Sequence, residues 1–180
     1  MALKSTIFKA RLNVADMDRQ VYADYPLTIA RHPSETDERM MLRILAFALN
    51  ADELLEFGKG ISTDDEPDLW QKSLSGEIEH WIELGTPDPD RLRKACGRAD
   101  RVTLYAYGRR AVPIWWDKHS QELQRFSRLT VYEIDGDGCE ALSALVSPNM
   151  ELQCTISDGE AWVTAGENSV GIRPAPLQEP

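Results

Sequence analysis

Two strand-like segments around a short turn, followed by a helix and a further strand, constrain the fold of this chain most. Residues 68–72 and 77–85 are rich in strand formers, and the SLSG segment that joins them ends in Gly76, which suits a hairpin. Residues 88–97 begin with Asp-Pro, a good helix start, and residues 102–107 follow as a strand. Because a strand–helix–strand connection favours a parallel right-handed crossover, the sequence predicts an α/β fold with a mixed sheet.

The N-terminal part of the chain predicts a hairpin and then a helix. Thr6–Asn13 alternates apolar and polar residues, and Gln20–Arg31 is also rich in strand formers. Pro26 predicts that the second arm lies at a sheet edge or carries a bulge. Ser34 is a suitable helix cap, and an apolar stripe with helical spacing follows it, at Met41, Leu42, Leu45 and Leu49.

The C-terminal part predicts alternating short elements. These are an extended piece at 108–116, a helix at 117–126, a strand at 129–134, a short helix at 139–146 and a hairpin at 150–166. Asp158-Gly159 is a strong two-residue turn signal for that hairpin. The segment 57–66 is predicted to be a loop, and the proline-rich residues 174–180 are predicted to be a frayed tail.

Size, charge and hydropathy limit the class of protein. A chain of 180 residues suits one domain, so a single domain over residues 1–180 is predicted. No apolar stretch is long enough to span a bilayer, and residues 1–9 contain no apolar core of a secretion signal. The three cysteines are widely spaced, which fits reduced thiols in the cytoplasm. We therefore expect a cytoplasmic protein with no membrane partner.

The net charge of −10 bears on a nucleic-acid partner. Binding to nucleic acid depends on neutralised phosphates, so a binder usually carries a basic face. The acidic total weakens a nucleic-acid partner without excluding it, since a local basic patch can persist in an acidic protein.

Two carboxylates are expected to meet at the end of the predicted hairpin. A turn centred between Leu74 and Ser75 places Asp68 opposite a residue between Trp81 and Glu83. Alternation along the second strand puts Glu83 on the side that also holds Trp81, away from the most apolar face. Two carboxylates at neighbouring strand ends suit a hard divalent cation such as Mg²⁺, which prefers oxygen ligands.

Basic residues on the following helix complete this hypothesis. Arg91 and Lys94 are three positions apart, so they share one helix face, and either would stabilise charge on a phosphate near the metal. The simpler interpretation of Lys94 is an ordinary surface lysine near a helix C-terminus. Glu35, another candidate acid, has Arg39 and Arg43 at four-residue steps, which predicts an ion-pair row along the helix.

Other chemistry-bearing residues have simple structural interpretations. His80 lies on an apolar strand face and is expected to be a core residue. Trp115 and Trp116 would suit base stacking, but adjacent aromatics on a strand usually pack on two different faces. Arg109 and Arg110 would suit a phosphate, but they are more typical of a solvated turn. The sequence contains no P-loop, dinucleotide fingerprint or GxSxG elbow.

Four segments together resemble the YaeQ family: PSETDERMMLRILAF, DEPDLWQK, HWIELGTPDPDRLRKAC and AVPIWW. The resemblance covers most of the chain. Members of that family are similar in fold to the PD-(D/E)XK nucleases, the restriction-endonuclease-like superfamily. The resemblance therefore implies a mixed sheet flanked by helices, with the core at 34–107, an added N-terminal hairpin within 1–31, further strands and helices at 108–173 and a C-terminal tail at 174–180.

The resemblance also assigns roles to individual residues. Pro67 and Asp68 match the Pro-Asp of the superfamily motif, and Glu83 matches its second acid. The motif lysine is expected two positions later, where this chain has Gly85 instead. Some superfamily members carry the basic residue on the neighbouring helix, for which Lys94 is the first candidate and Arg91 the second.

Glu35 matches the additional acid that the superfamily often carries on its first helix, with Glu38 a weaker match. The resemblance implies a site for Mg²⁺ or Mn²⁺ formed by Asp68, Glu83 and Glu35.

Two functions follow as alternatives. The first is a Mg²⁺- or Mn²⁺-dependent phosphodiesterase that acts on nucleic acid. The second is a non-catalytic nucleic-acid- or protein-binding module on a nuclease-like scaffold, with a link to transcription suggested for the family. The net charge of −10 and the glycine at position 85 favour the second alternative.

Overall fold

The computed structural model describes residues 4–63 and 65–180, with the side chain of Ser62 excepted. Residues 1–3 of the predicted N-terminal region and Asp64 of the predicted loop lie outside the described residues. The described strands, numbered in chain order, are β1 Thr6–Asp16, β2 Val21–Arg31, β3 Leu55–Phe57, β4 Leu69–Lys72, β5 Ile78–Leu84, β6 Ala99–Tyr107, β7 Leu129–Ile134, β8 Asn149–Ser157, β9 Glu160–Ala165, β10 Asn168–Ile172 and β11 Ala175–Gln178. The described α-helices are α1 Asp37–Leu49, α2 Pro89–Arg98, α3 Ala111–Leu123 and α4 Gly136–Ser143.

The described elements form an α/β structure with two mixed sheets, divided between two compact units. The first unit takes its described residues from 1–51 and 137–173, and the second from 52–136 and 174–180. Among the described residues, none of the helices combines the length and the apolar character needed to cross a bilayer. The prediction of one domain over residues 1–180 stays a prediction.

The first unit contains a five-stranded sheet with the order β10-β9-β8-β1-β2. β1 and β2 pair antiparallel along their full length, which confirms the predicted N-terminal hairpin. Every second residue of β1 from Phe8 to Asp16 is buried, as the alternating sequence requires of a strand with one face on a core. β2 is an edge strand, so the prediction from Pro26 is correct.

The first helix begins later than predicted. Thr36 caps it, since the Thr36 side chain accepts a hydrogen bond from the Arg39 amide, so the assignment of Ser34 as the cap is wrong. The Ser34 hydroxyl instead lies 2.7 Å from Nδ1 of His32, in the turn that precedes the helix. Thr36 has the extended backbone that a capping residue needs, with φ −76° and ψ 159°.

The second unit contains a six-stranded sheet with the order β11-β7-β6-β5-β4-β3. β4 and β5 pair antiparallel, whereas β5, β6 and β7 are parallel neighbours, so the predicted hairpin and parallel crossover are both confirmed. Asp88 caps α2 and Pro89 occupies its first turn, as predicted. One buried cluster joins α2 and α3 to this sheet, including Trp81, Leu92, Leu104 and Trp115.

The prediction of an extended piece at 108–116 is wrong, because α3 begins at Ala111. Pro113 lies in the first turn of the helix, where a missing backbone N–H removes no helical hydrogen bond. Trp115 and Trp116 therefore lie on a helix, and the Trp115 indole donates a hydrogen bond to the Pro87 carbonyl at 2.8 Å.

Four further elements differ from the prediction. The predicted tail contains β11, which pairs with β7, and the Gln178 side chain donates to the Leu123 carbonyl at 2.8 Å. β3 and β10 are strands that the sequence did not indicate, and the predicted loop at 57–66 begins with the last residue of β3. The helix predicted at 139–146 lies at Gly136–Ser143. The hairpin with the Asp158-Gly159 turn is confirmed by the β8–β9 pairing.

Candidate metal centre

The register of β4 and β5 brings Asp68 and Glu83 to adjoining strand ends. Leu69 pairs with Ile82, so the residue before β4 stands beside Glu83 near the end of β5. This is the arrangement that the turn length predicts. Asp68 is 1% exposed and Glu83 is 3% exposed, so both carboxyl groups are buried within the second unit.

Asp68 is fixed by the backbone around it. Its Oδ2 accepts a hydrogen bond from the Leu84 amide at 2.9 Å, which ties the start of β4 to the end of β5. Its Oδ1 faces Gly60, whose backbone approaches so closely that a Cβ there would overlap this oxygen. The glycine is therefore required by the position of the Asp68 carboxylate as well as by its own φ of +35°.

Glu83 carries two charge-stabilising hydrogen bonds. Its Oε1 accepts from the Trp81 indole at 2.8 Å and from Nε of Arg91 at 2.9 Å. Burial nevertheless raises the pKa of Glu83 above its ordinary value; the Arg91 contact opposes this rise and the nearby negative charge of Asp68 adds to it. The two acids thus interact electrostatically, and a cation between them would relieve their repulsion.

Arg91 links both acid-bearing segments to α2. Besides its contact with Glu83, its Nη2 donates to the Glu66 carbonyl at 2.9 Å, two residues before Asp68. The structure thus brings Arg91 together with the acid pair, one of the two placements considered for the basic residue. Its direct partner is a carboxylate, so the contact fixes the position of the Glu83 side chain.

Lys94 lies on the same helix but is exposed. It lines a cavity of about 610 Å³ in the second unit, together with Trp81, Arg91 and Arg98. Because Arg91 contacts Glu83 and also lines this cavity, the cavity adjoins the acid pair through a shared residue. No ion pair of Lys94 is present among the described residues, 4–63 and 65–180.

Glu35 belongs to the first unit, where it forms ion pairs with two arginines. Arg39 Nη1 lies 2.9 Å from one carboxylate oxygen and Arg43 Nη2 lies 2.6 Å from the other. The predicted row with Arg39 and Arg43 is therefore present, although Glu35 precedes the helix rather than lying in its first turn. Its assignment as a metal ligand stays a prediction, with both oxygens engaged by arginine.

Gly85, at the position expected for the motif lysine, has a backbone that disfavours a side chain. Its φ is +104°, a region that residues with a Cβ rarely adopt, while its amide donates to the Tyr105 carbonyl at 3.0 Å. This conformation is a physical reason why a lysine does not stand here.

The donor set tests whether a metal fits. Two buried carboxyl groups offer oxygen ligands of the kind that Mg²⁺ and Mn²⁺ prefer, while burial of Glu83, which raises its pKa, works against the ionised form that a metal needs. In the described part of the chain no group of three or more His, Cys, Asp or Glu side chains is arranged to hold a metal ion. Mg²⁺ is commonly held by one or two carboxylates plus waters and substrate phosphates, and the assignment of Asp68 and Glu83 as its ligands stays a prediction.

Two residues of the site were not found from the sequence. Trp81 was placed on the same side as Glu83 by strand alternation, but its hydrogen bond to the carboxylate depends on the rotamer. The sequence showed Gly60 only as a glycine in a predicted loop, with nothing to connect it to Asp68. His80, by contrast, is the predicted core residue: it is 1% exposed, and its Nε2 lies 2.8 Å from the Thr103 hydroxyl.

The fold and site define an α/β protein with two mixed sheets that buries a pair of acids at adjoining strand ends. The family model described as "YaeQ protein" matches residues 1–174. The chain is 47% identical over its full 180 residues to the "Uncharacterized protein YaeQ" of Salmonella typhi and 45% identical to that of Escherichia coli strain K12, and it covers 99% of each. This chain belongs to the YaeQ family.

Solved structures agree with this assignment. The crystal structure of the YaeQ protein from Xanthomonas axonopodis pv. citri is similar with a TM-score of 0.94 at 47% identity, covering 98% of this chain and 99% of that one. The YaeQ protein from Pseudomonas syringae is similar with a TM-score of 0.93 at 38% identity, covering 98% of this chain and 97% of that one.

Proposed function

We propose that this protein is a Mg²⁺- or Mn²⁺-dependent phosphodiesterase that acts on nucleic acid, of the PD-(D/E)XK type. The observation that carries the proposal is the buried acid pair, Asp68 and Glu83, at the adjoining ends of β4 and β5. Acidic side chains are rarely buried unless their charge is compensated, and perturbed carboxyl groups cluster at functional sites.

The order of elements supports the same proposal. Along the chain, α1 is followed by β3, β4 and β5, then by α2 and β6. A helix, three strands, a helix and a strand is the order of the restriction-endonuclease-like core. The Pro67-Asp68 dipeptide stands immediately before β4, and Glu83 stands in β5, as the superfamily motif requires.

Each residue has a defined role in this proposal. Asp68 and Glu83 would hold the metal, and the chemistry it would supply when bound is that of a Lewis acid toward a phosphoryl oxygen. Arg91 orients the Glu83 carboxylate through its 2.9 Å contact and fixes the segment before Asp68. Lys94, exposed at the adjoining cavity, provides positive charge for the phosphate that is cleaved.

The test is cleavage of end-labelled single- and double-stranded DNA and RNA with Mn²⁺, Mg²⁺ or EDTA. We expect metal-dependent cleavage by the wild type, none by Asp68→Asn, and reduced turnover with unchanged metal affinity for Lys94→Ala. Lys118→Ala removes another exposed lysine, on α3, and is the matched control. Full activity of Asp68→Asn would refute the proposal, and full activity of Lys94→Ala would show that Lys94 is only a surface residue.

A second candidate function is a non-catalytic nucleic-acid- or protein-binding module on the same scaffold. The observation that favours it is the contact between Arg91 and Glu83, which satisfies a buried acid without any metal. The glycine at position 85, which stands in place of the motif lysine and has a φ of +104°, also favours this second function. If neither Mg²⁺ nor Mn²⁺ binds the wild type, this second function replaces the first.

A further inference from the structure

The segment Arg91–Arg101 is the basic part of an acidic protein. It contains five Lys or Arg residues and one acid, Asp100, whereas the whole chain has a net charge of −10. The segment covers most of α2 and the start of β6. A concentration of positive charge of this kind, against a negative total, creates a local potential that attracts polyanions.

Three of these cations face one cavity. Arg91, Lys94 and Arg98 recur at steps of three and four residues, so they form a row along one side of α2, and all three line the 610 Å³ cavity. The row advances about 1.5 Å per residue along the helix, or roughly 10 Å in total. Arg91 at one end contacts Glu83, so the row begins at the acid pair.

The acids that share this cavity differ in what they contact. Asp88 accepts the capping hydrogen bond from the Asp90 amide at 2.9 Å, and Asp90 pairs with Arg93 at 2.9 Å. Asp65 contributes its backbone carbonyl, which accepts from Arg98 at 2.8 Å. Two of the three acids are thus engaged within α2 and its cap.

We propose that Lys94 and Arg98 form a contact surface for the backbone phosphates of a single-stranded nucleic acid that leads to the acid pair. Lys94 and Arg98 match the charge of a polyanion, and the contact surface is confined to this row because the cavity lining as a whole holds three cations and three acids. The short length of the row suits about two phosphates of one strand rather than the two backbones of a duplex. The Arg98 guanidinium donates a hydrogen bond to the Asp65 carbonyl. Its guanidinium carbon also lies 5.0 Å from the centre of the Trp81 ring, and both contacts orient the side chain.

This inference rests on the proposed function only in its claim that the bound nucleic acid leads to Asp68 and Glu83. Binding itself needs no metal, so it is measured in EDTA by fluorescence anisotropy of labelled single-stranded DNA and RNA oligonucleotides of mixed sequence, over a range of salt concentrations. If the protein binds no metal, oligonucleotide binding by Lys94 and Arg98 can still be measured. If it binds no oligonucleotide, metal binding at Asp68 and Glu83 can still be measured.

Each phosphate contact contributes about 0.7 to the slope of log affinity against log salt for single strands. We expect Lys94→Ala and Arg98→Gln each to lower that slope by about 0.7 and to weaken binding several-fold. Arg98→Lys, which keeps the charge, retains the slope even if the hydrogen bond to Asp65 is lost. Arg93→Gln, which removes an arginine of the same helix that pairs with Asp90, leaves the slope unchanged.

Three outcomes would overturn the inference. One is an unchanged salt slope in both Lys94→Ala and Arg98→Gln when circular dichroism shows native folds. Another is an equal loss of slope in Arg93→Gln, since that would make the effect one of general charge. The third is no binding of single strands by the wild type at low salt, including the case in which only duplex binds.

Discussion

Arg91 on α2 donates a hydrogen bond from Nε to Oε1 of Glu83 on β5 at 2.9 Å, and its Nη2 reaches the Glu66 carbonyl at the same distance. One guanidinium therefore connects a helix to both segments that carry the buried acids. The bond partners of Arg91 are fixed by its planar fork of donors, which a lysine does not reproduce. This contact makes Arg91 the structural link between the acid pair and the basic row of α2.

Replacing Arg91 by glutamine is expected to lower the free energy of unfolding by about 2–3 kcal/mol. Loss of one partner of a buried ion pair leaves an uncompensated charge, which costs about 3–5 kcal/mol, and the 20% exposure of the Arg91 side chain reduces that figure. Urea unfolding of the single variants and of the Glu83→Gln, Arg91→Gln double variant measures it. Strictly additive effects of the two substitutions would contradict a direct interaction.

The stability of the metal-free protein should depend on pH through Glu83. Its pKa is raised in the folded state by burial, so between 4.5 and the raised value the folded protein holds a proton that the unfolded chain has released. The free energy of unfolding therefore falls as pH rises through that interval. Urea unfolding in EDTA over this pH range should show the fall in the wild type and its loss in Glu83→Gln. Parallel curves for the two proteins would contradict it.

Substitution of Gly60 tests the close approach of backbone to Asp68. Gly60→Ala is expected to be less stable than Gly76→Ala by about 1–3 kcal/mol, because both positions have positive φ but only a Cβ at 60 overlaps the Asp68 carboxylate. At Gly76 an added Cβ meets no described atom within 4 Å. Thermal or urea unfolding measures the difference. Equal losses in the two variants would show that the carboxylate moves freely.

Thiol reactivity should distinguish the cysteines. Burial, with a smaller contribution from the charge of Asp16, raises the pKa of the Cys154 thiol to about 12, so its thiolate is scarce at neutral pH. Cys96 is only partly buried, and the nearby Arg128 opposes the rise in its pKa. Alkylation of the native protein with iodoacetamide, followed by mass spectrometry, should label Cys96 before Cys154. Faster labelling of Cys154 would contradict the described packing.

The positions of Asp68 and Glu83 were predictable because a hairpin with a given turn allows few pairing registers. Once the turn length is known, the register follows, and alternation then assigns each side chain to a face of the strand. That is how Asp68 and Glu83 were placed together from the sequence. The contact of Arg91 with Glu83 was beyond this reasoning, since it depends on the angle at which α2 packs on the sheet.

Other errors trace to competition between local preference and tertiary structure. Residues 111–116 contain strand formers and a proline, yet they start α3, whose Val112 and Trp115 pack into the core of the second unit. The tail at 174–180 has no strong strand pattern, and β11 exists through its pairing with β7, more than 40 residues earlier. Ser34 and Thr36 are both suitable caps, and only the path of the chain decides between them.

The most direct test of the central claim is calorimetric titration of Mn²⁺ and Mg²⁺ into the wild type, Asp68→Asn and the control Asp100→Asn, which neutralises an exposed acid of the same unit. Melting temperatures confirm that the three proteins are folded. We predict binding by the wild type and by Asp100→Asn, and loss of binding in Asp68→Asn. Equal affinity in Asp68→Asn, or no binding by the wild type, would contradict a metal centre at the acid pair.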